Sequence, residues 1–335
     1  MKKVKVGVVG VGNLGRHHAR VYAELPKADL VGVVDIDEEK AIKIAKEYDT
    51  KPYIYYQELF GKVDAVSIVV PTTLHYKIAR DFIEEGINVL VEKPVTSNLD
   101  EAKELIRAAR INDVTLQVGH IERFNTAFLA LKNFVSDPIY IESHRMGPFD
   151  KRVSDVSVVL DLMIHDIDIV TSIVNENIKN IEAFGRAIYT DKEDIATAHI
   201  AFSNGIISNI VASRISTKKV RRLEIIERDK TITLDYINQE LYIYSHSPGN
   251  GNGKRGPVIK KIEVKWQEPL KLELEHFLNC IKNGERPIVG IEEGTSALEI
   301  AFKILDRIKE NNDSHIPLSP YTPYLESLKN IHHGV

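Results

Sequence analysis

Through the first 120 residues, short runs of β-branched and aliphatic residues alternate with stretches whose apolar positions recur every three to four residues. The runs predict six strands, at 4–9, 30–35, 52–55, 65–70, 89–92 and 114–118. The helical spacing between them predicts helices at 14–25, 38–48, 75–85 and 100–112, the last opened by a capping box, Ser97-x-x-Asp100. Strands alternating with helices in this way predict an α/β unit: a doubly wound parallel Rossmann sheet. After Arg123 the pattern changes. Strand-like runs at 140–145, 195–202, 206–212, 222–226 and 231–236 follow one another without helices, and Asn204-Gly205 marks a hairpin between two of them. These runs predict an α+β domain with a large, mainly antiparallel open sheet. Helices return at 158–174, 270–283 and 292–310, whereas 245–257 holds four glycines, has no periodicity, and reads as a mobile loop or lid.

The chain of 335 residues suits two domains, expected at 1–120 for cofactor binding and 121–335 for substrate binding and oligomerisation. With 44 Lys+Arg against 48 Asp+Glu, the net charge of −4 argues against nucleic-acid binding through bulk positive charge. No apolar run approaches the ~18 residues of a membrane span. Met1-Lys2-Lys3-Val4 leads into a strand pattern rather than a signal peptide, and Cys280 is the single cysteine. A cytoplasmic protein without a membrane partner is therefore expected.

Gly10-Val11-Gly12-Asn13-Leu14-Gly15 joins the first strand to the first helix. In such a turn Gly10 permits the tight bend, Gly12 lets the backbone approach a pyrophosphate, and Gly15 allows close helix packing. The helix start adds N–H groups and a positive dipole end. Asp35 ends the second strand, 20 residues past Gly15, where a carboxylate can accept hydrogen bonds from an adenosine ribose. With Asp37 beside it and no arginine, a 2′-phosphate would meet repulsion, so NAD is expected rather than NADP.

Glu92-Lys93-Pro94 places a lysine at the carboxyl end of a buried strand, where ligands of open parallel sheets collect. Pro71, Thr72 and His75 occupy the equivalent edge and are expected to line the nicotinamide ribose; a His75 that merely starts a helix facing water is the bland alternative. On the apolar stretch 158–174, Asp161, His165 and Asp168 are spaced i, i+4 and i+7 and so share one helical face. An imidazole with a carboxylate one turn away is suited to general-base work.

These three motifs, in this order, resemble the Gfo/Idh/MocA family of glucose-fructose oxidoreductase and inositol dehydrogenase. Within it, Val118-Gly119-His120-Ile121-Glu122-Arg123-Phe124-Asn125 and 161–168 are most similar to UDP-N-acetylglucosamine 3-dehydrogenases. The resemblance implies an NAD-dependent dehydrogenase in which Lys93 and His165 flank the reacting hydroxyl and Asp161 tunes them. His165, with an unperturbed pKa of about 6.5, is taken as proton acceptor and Lys93 as stabiliser of the alkoxide; the reverse assignment stays open. His120, Arg123 and Asn125 join Asp161 and His165 as substrate-binding candidates. The implied substrate is a UDP-sugar, oxidised at its 3-hydroxyl; a free polyol or inositol dehydrogenase and a non-catalytic NAD-binding sugar sensor are the rivals.

A diphosphate needs cations, which Lys218, Lys219, Arg221 and Arg222, Lys254 and Arg255, or Arg123 offer. No metal is expected, since the His, Asp and Glu residues lack ligand spacing and hydride transfer needs none. Cys280 reads as core and His332-His333 as exposed terminus. One uncovered face of the second sheet suits a homodimer or homotetramer.

Overall fold

The computed structural model describes residues 3–150, 155–245 and 258–313. The glycine-rich stretch from 246, with Lys254 and Arg255, and the His332-His333 terminus lie outside the described residues.

The first sheet contains β1 (Val4–Val9), β2 (Ala28–Val34), β3 (Lys51–Tyr53), β4 (Ala65–Ile68), β5 (Asn88–Glu92) and β6 (Leu116–Gly119). They are parallel, in the order β3-β2-β1-β4-β5-β6, which places a switch point between β1 and β4. Both faces are covered, as the near-continuous apolar strands require. On one side α1 (Gly15–Glu24) and α7 (Pro269–Asn283) pack through Val21, Tyr22, Leu274 and Phe277; on the other, α3 (His75–Glu84) and α4 (Leu99–Ile111) pack through Phe82 and Leu105. The side chain that caps α4 is Asn98, accepting from the Glu101 N–H at 3.0 Å, while Glu101 reaches back to the Ser97 N–H at 3.2 Å. The cap therefore sits one residue later than Ser97-x-x-Asp100 predicts, because Asn98 supplies the side-chain acceptor and Ser97 only a backbone N–H.

The second sheet has eight strands in the order β14-β13-β12-β11-β7-β10-β9-β8. Its strands are β7 (Tyr140–Met146), β8 (Ile178–Arg186), β9 (Ile195–Phe202), β10 (Ile207–Ser213), β11 (Val220–Ile226), β12 (Lys230–Asp235), β13 (Glu240–Ser245) and β14 (Val258–Ile262). Every pairing is antiparallel except β7 with β10. The Asn204-Gly205 turn joins β9 to β10, with Gly205 at φ +90°. The strands at 178–186, 240–245 and 258–262 were not anticipated: β8 sets Lys179, Glu182 and Arg186 among its apolar residues, which conceals a hydrophobic face, and β14, Val258–Ile262, is an exposed edge strand without one.

Alternation gives this sheet an apolar face covered by α5 (Thr126–Leu131), α6 (Ile164–Val174) and α8 (Ile291–Asp313). The other face carries Thr197, Asn209, Glu142, His144, Arg222 and Glu224. Helix α8, 23 residues long, buries Ile291 and Leu298 with the first sheet and Ala301 and Ile304 with the second. Residues beyond 268 thus complete the core of the first unit and clamp the two together. Among the described residues no helix is long and apolar enough to cross a membrane.

Candidate active site

The carboxyl ends of β1, β2 and β5 set one wall. Gly10 adopts φ +86°, and a Cβ there would lie 2.3 Å from the Val69 carbonyl oxygen; one on Gly15 would lie 1.8 Å from that of Gly10. Backbone packing alone demands both glycines. Gly12 differs, having nothing within 4 Å of an added Cβ. Its backbone, with exposed Asn13 and Leu14, faces open space at the N-terminus of α1, whose positive dipole end makes a cradle that fits a dinucleotide pyrophosphate.

Half-buried Asp35 accepts the Val11 N–H at 2.9 Å through Oδ2 and the Asp37 N–H at 3.0 Å through Oδ1, which fixes the carboxylate beside that cradle. Asp37 does something other than expected. It caps α2 (Glu38–Glu47) and pairs with Lys40 Nζ at 2.8 Å, which holds its carboxyl below the usual range. A cation therefore stands beside the second carboxylate, leaving Asp35 as the group that would repel a 2′-phosphate.

Pro71 is exposed and Thr72 half-buried on a short 3₁₀ turn. His75 faces neither ribose nor water: its ring is buried, with Nδ1 2.9 Å from the Pro94 carbonyl oxygen and Nε2 2.8 Å from that of Val70. It ties the ends of β4 and β5 together at the cis Lys93–Pro94 bond. Glu92 is buried too, 3.2 Å from His18 Nε2. Burial pushes its carboxyl up, but His18 and Lys93 outweigh that and leave it below the usual range.

From this edge Lys93 reaches across to the second unit, where its Nζ donates to the Asp161 carbonyl at 2.6 Å and to Asp161 Oδ1 at 3.1 Å. Asp161 lies in a π-helical turn, Val159–Met163, that precedes α6. Such turns recur at functional sites. The wider turn also breaks the expected i, i+4, i+7 face: Asp161 and His165 line the cleft with Lys93, whereas Asp168 is buried behind them. His165 Nδ1 is buried without a hydrogen-bond partner, which leaves Nε2 for the cleft. Burial, with the charges of Lys93, Arg145, His120 and Arg221, holds this imidazole well below its ordinary range.

The cleft encloses about 900 Å³, and its cationic rim is Arg145, Arg214, Lys219 and Arg221. Arg145 is buried, bonded to Asp166 at 2.7 and 3.1 Å and to Glu122 at 2.8 Å. Arg214 pairs with Asp194 at 2.7 Å; three backbone N–H groups and that guanidinium outweigh burial and hold the Asp194 carboxyl down to about 2. Arg221 reaches Glu122 at 3.3 Å. Arg222, one residue on, points to the opposite face and pairs with Glu224.

The other substrate-binding candidates do not line this cleft. Asn125 is buried, its Nδ2 donating to the Tyr236 carbonyl at 3.0 Å and its Oδ1 capping α5 at the Ala127 N–H. Arg123 is buried 3.2 Å from Asp168. His120 is buried against His165, ring centroids 6.2 Å apart. The reason is shared: the segment after β6 turns inward through a 3₁₀ turn, Ile121–Phe124, between the two sheets. Cys280 is buried, as expected of a core residue. Sequence reasoning missed Arg145, Glu122 and Asp166 as a network; the one available signal was a charged residue at an inward position of β7.

Two family models match the chain. Residues 4–120 match the model of an oxidoreductase family with an NAD-binding Rossmann fold, and residues 99–233 the GFO/IDH/MocA C-terminal domain. A UDP-N-acetylglucosamine 3-dehydrogenase of Acidithiobacillus ferrooxidans is 36% identical over 289 residues, covering 86% of this chain and 91% of its own. A scyllo-inositol 2-dehydrogenase (NAD(+)) of Bacillus subtilis is 29% identical, over 90% of this chain and 92% of its own. A solved structure of the Acidithiobacillus ferrooxidans enzyme superposes with a TM-score of 0.88 at 34% identity, covering 92% of this chain and 99% of that one.

Proposed function

The chain belongs to the GFO/IDH/MocA oxidoreductase family, and we propose that it uses NAD to oxidise a ring hydroxyl of a UDP-linked N-acetylhexosamine, the 3-hydroxyl of UDP-N-acetylglucosamine first among them. NAD, when bound, supplies the hydride acceptor. Gly10, Gly12, Asn13, Leu14 and Gly15 hold its pyrophosphate, Asp35 its ribose, and the Glu92-Lys93-Pro94 edge its nicotinamide end, with His75 bracing that edge from behind.

His165 takes the hydroxyl proton, because its depressed pKa keeps the ring unprotonated at neutral pH. Lys93 stabilises the developing alkoxide, and Asp161 positions Lys93 through two oxygens. The observation that carries the substrate class is the charge of the cleft. Lys219 is held below its ordinary range first by the charge of Arg221, and Arg221, first by burial, next by that of Arg145. Lys93, Arg145, Arg214, Lys219 and Arg221 line the cleft against the carboxylates of Asp150 and Asp161, and a diphosphate suits that excess of cations. A bare polyol has nothing to place there.

The 36% identical relative supports the same substrate. The polar open face of the second sheet supports pairing with a second copy of the chain. The substrate reading is tested by titrating the NAD-loaded chain with UDP. UDP should bind, and Lys219→Ala or Arg221→Ala should weaken it about tenfold, the loss of one charge-assisted contact, while Arg222→Ala leaves it unchanged. Equal binding by all four proteins would refute the assignment.

A further inference from the structure

The cleft that holds Lys93 and His165 is also lined by the segment leaving β7, where Gly147, Pro148 and Phe149 bring no charge to it. Phe149 is half-buried, and its ring meets that of Tyr189 edge to face, with centroids 5.4 Å apart and planes at 67°. Such a pair leaves ring faces free for a third planar group. Tyr189, on the turn between β8 and β9, is 65% exposed. An aromatic that open to water gains little from its own fold.

The backbone beneath it is nonetheless fixed. Three consecutive N–H groups, those of Ile188, Tyr189 and Thr190, donate to Asp194 Oδ2 at 2.7, 2.6 and 3.0 Å. Asp194 is fully buried; Arg214 Nε donates to its other oxygen at 2.7 Å, and Arg214 Nη2 donates to the Thr190 hydroxyl at 3.0 Å. The Phe149 side is tied to the same place. The Gly147 N–H donates to the Ser213 carbonyl at 2.9 Å, and the Ser216 N–H to the Gly147 carbonyl at 3.0 Å. Both rings are thus carried by backbone anchored to residues 213–216, the stretch that gives the cleft its Arg214 guanidinium. Ordering a turn costs conformational entropy, and this one presents a ring that it does not bury.

Resting on the diphosphate reading of the cleft given above, we propose that Phe149, braced by Tyr189, is a stacking platform for the base of the nucleotide-sugar. The cleft then holds one kind of group for each part of such a molecule: Lys93 and His165 for the sugar, Lys219 and Arg221 for the diphosphate, and an aromatic pair for the planar base. Stacking on an aromatic side chain accepts any base, because every base has a π-face. The platform therefore fixes where the base lies and leaves its identity to other contacts. A free polyol has no π-face to lay against it.

The test titrates the NAD-loaded full chain with UDP and with inorganic pyrophosphate, which keeps the diphosphate and lacks the base. It compares wild type, Phe149→Ala, Phe149→Tyr and Tyr189→Ala. Wild type should bind UDP more tightly than pyrophosphate. Phe149→Ala should weaken UDP about tenfold or more, the loss of one base–aromatic contact. Tyr189→Ala should weaken it less, since Tyr189 acts through Phe149, and Phe149→Tyr should retain it. Pyrophosphate should bind all four proteins equally. Proton spectra of UDP give a second readout: the uracil H5 and H6 signals should move upfield on binding to wild type, and Phe149→Ala should abolish that movement. Equal UDP binding by wild type and Phe149→Ala, equal losses of UDP and pyrophosphate in Phe149→Ala, or a loss in Phe149→Tyr as great as in Phe149→Ala would each overturn the platform and leave the diphosphate reading standing. A wild type that binds neither ligand would overturn that reading, and the platform with it.

Discussion

The two walls of the cleft hold their polar groups by different means. On the first, Gly10 and Asp35 sit at the ends of parallel strands, and backbone fixes both of them: Asp35 through the Val11 and Asp37 N–H groups, Gly10 by its approach to Val69. On the second, Glu122, Arg145, Asp166 and Arg221 come from separate elements, with Arg221 and Glu122 99 positions apart, and only their side chains hold one another. A sheet edge positions chemistry by topology, whereas a side-chain network does so by charge balance. The first wall should therefore be sensitive to added backbone bulk, and the second to the loss of any one charge.

The largest effect is expected from Arg145→Ala, which leaves the Asp166 carboxylate buried without its cation and Glu122 with only the 3.3 Å contact to Arg221. Removing one partner of a buried ion pair costs about 3–5 kcal/mol, so chemical denaturation should show a loss of that size. A loss below about 1 kcal/mol would mean that the network does not hold the wall. Next in size, Lys93→Ala and His165→Ala should each lower kcat about 100-fold or more while NAD affinity by fluorescence titration stays near wild type. Parity of either variant with wild type would remove that residue from the chemistry.

On the first wall, Gly10→Ala places a side chain at φ +86° and 2.3 Å from the Val69 carbonyl oxygen. Positive φ at a non-glycine residue alone costs about 1–3 kcal/mol, and NAD affinity should fall with stability. Retained affinity in a destabilised variant would separate the glycine's role in packing from any role in binding. Smaller still is Asn98→Ala, a lost helix cap worth about 1 kcal/mol; the smallest effect belongs to Ser97→Ala, whose contribution is a backbone N–H.

The same contrast explains what was legible in the chain. Six strands and four helices of the first unit were readable within a few residues, as were the glycine turn, Asp35 and Lys93, because period and motif are local. Asp161 and His165 were readable as a pair, but the π-helical turn that sends Asp168 inward is an adjustment made by packing. Asp37 read as a cofactor-selecting charge and turned out to cap a helix, since the sequence does not reveal that Lys40 lies against it. His120, Arg123 and Asn125 were singled out by resemblance as substrate contacts; their burial depends on how the chain passes between two sheets, which no local pattern encodes. Arg145 escaped notice because its partners, Glu122 and Asp166, lie 23 and 21 positions away.

Lys93 and His165 are proposed to assist NAD in oxidising a sugar whose diphosphate is held by Lys219 and Arg221. This is tested most directly by following NADH formation with UDP-N-acetylglucosamine and with free inositols, for wild type and Lys219→Ala. Turnover of the UDP-sugar is expected with kcat/KM about 100-fold or more above any free inositol, two charge-assisted contacts that the inositol lacks, and the gap should narrow in the variant. Equal or faster turnover of a free inositol, unaffected by Lys219→Ala, would contradict it.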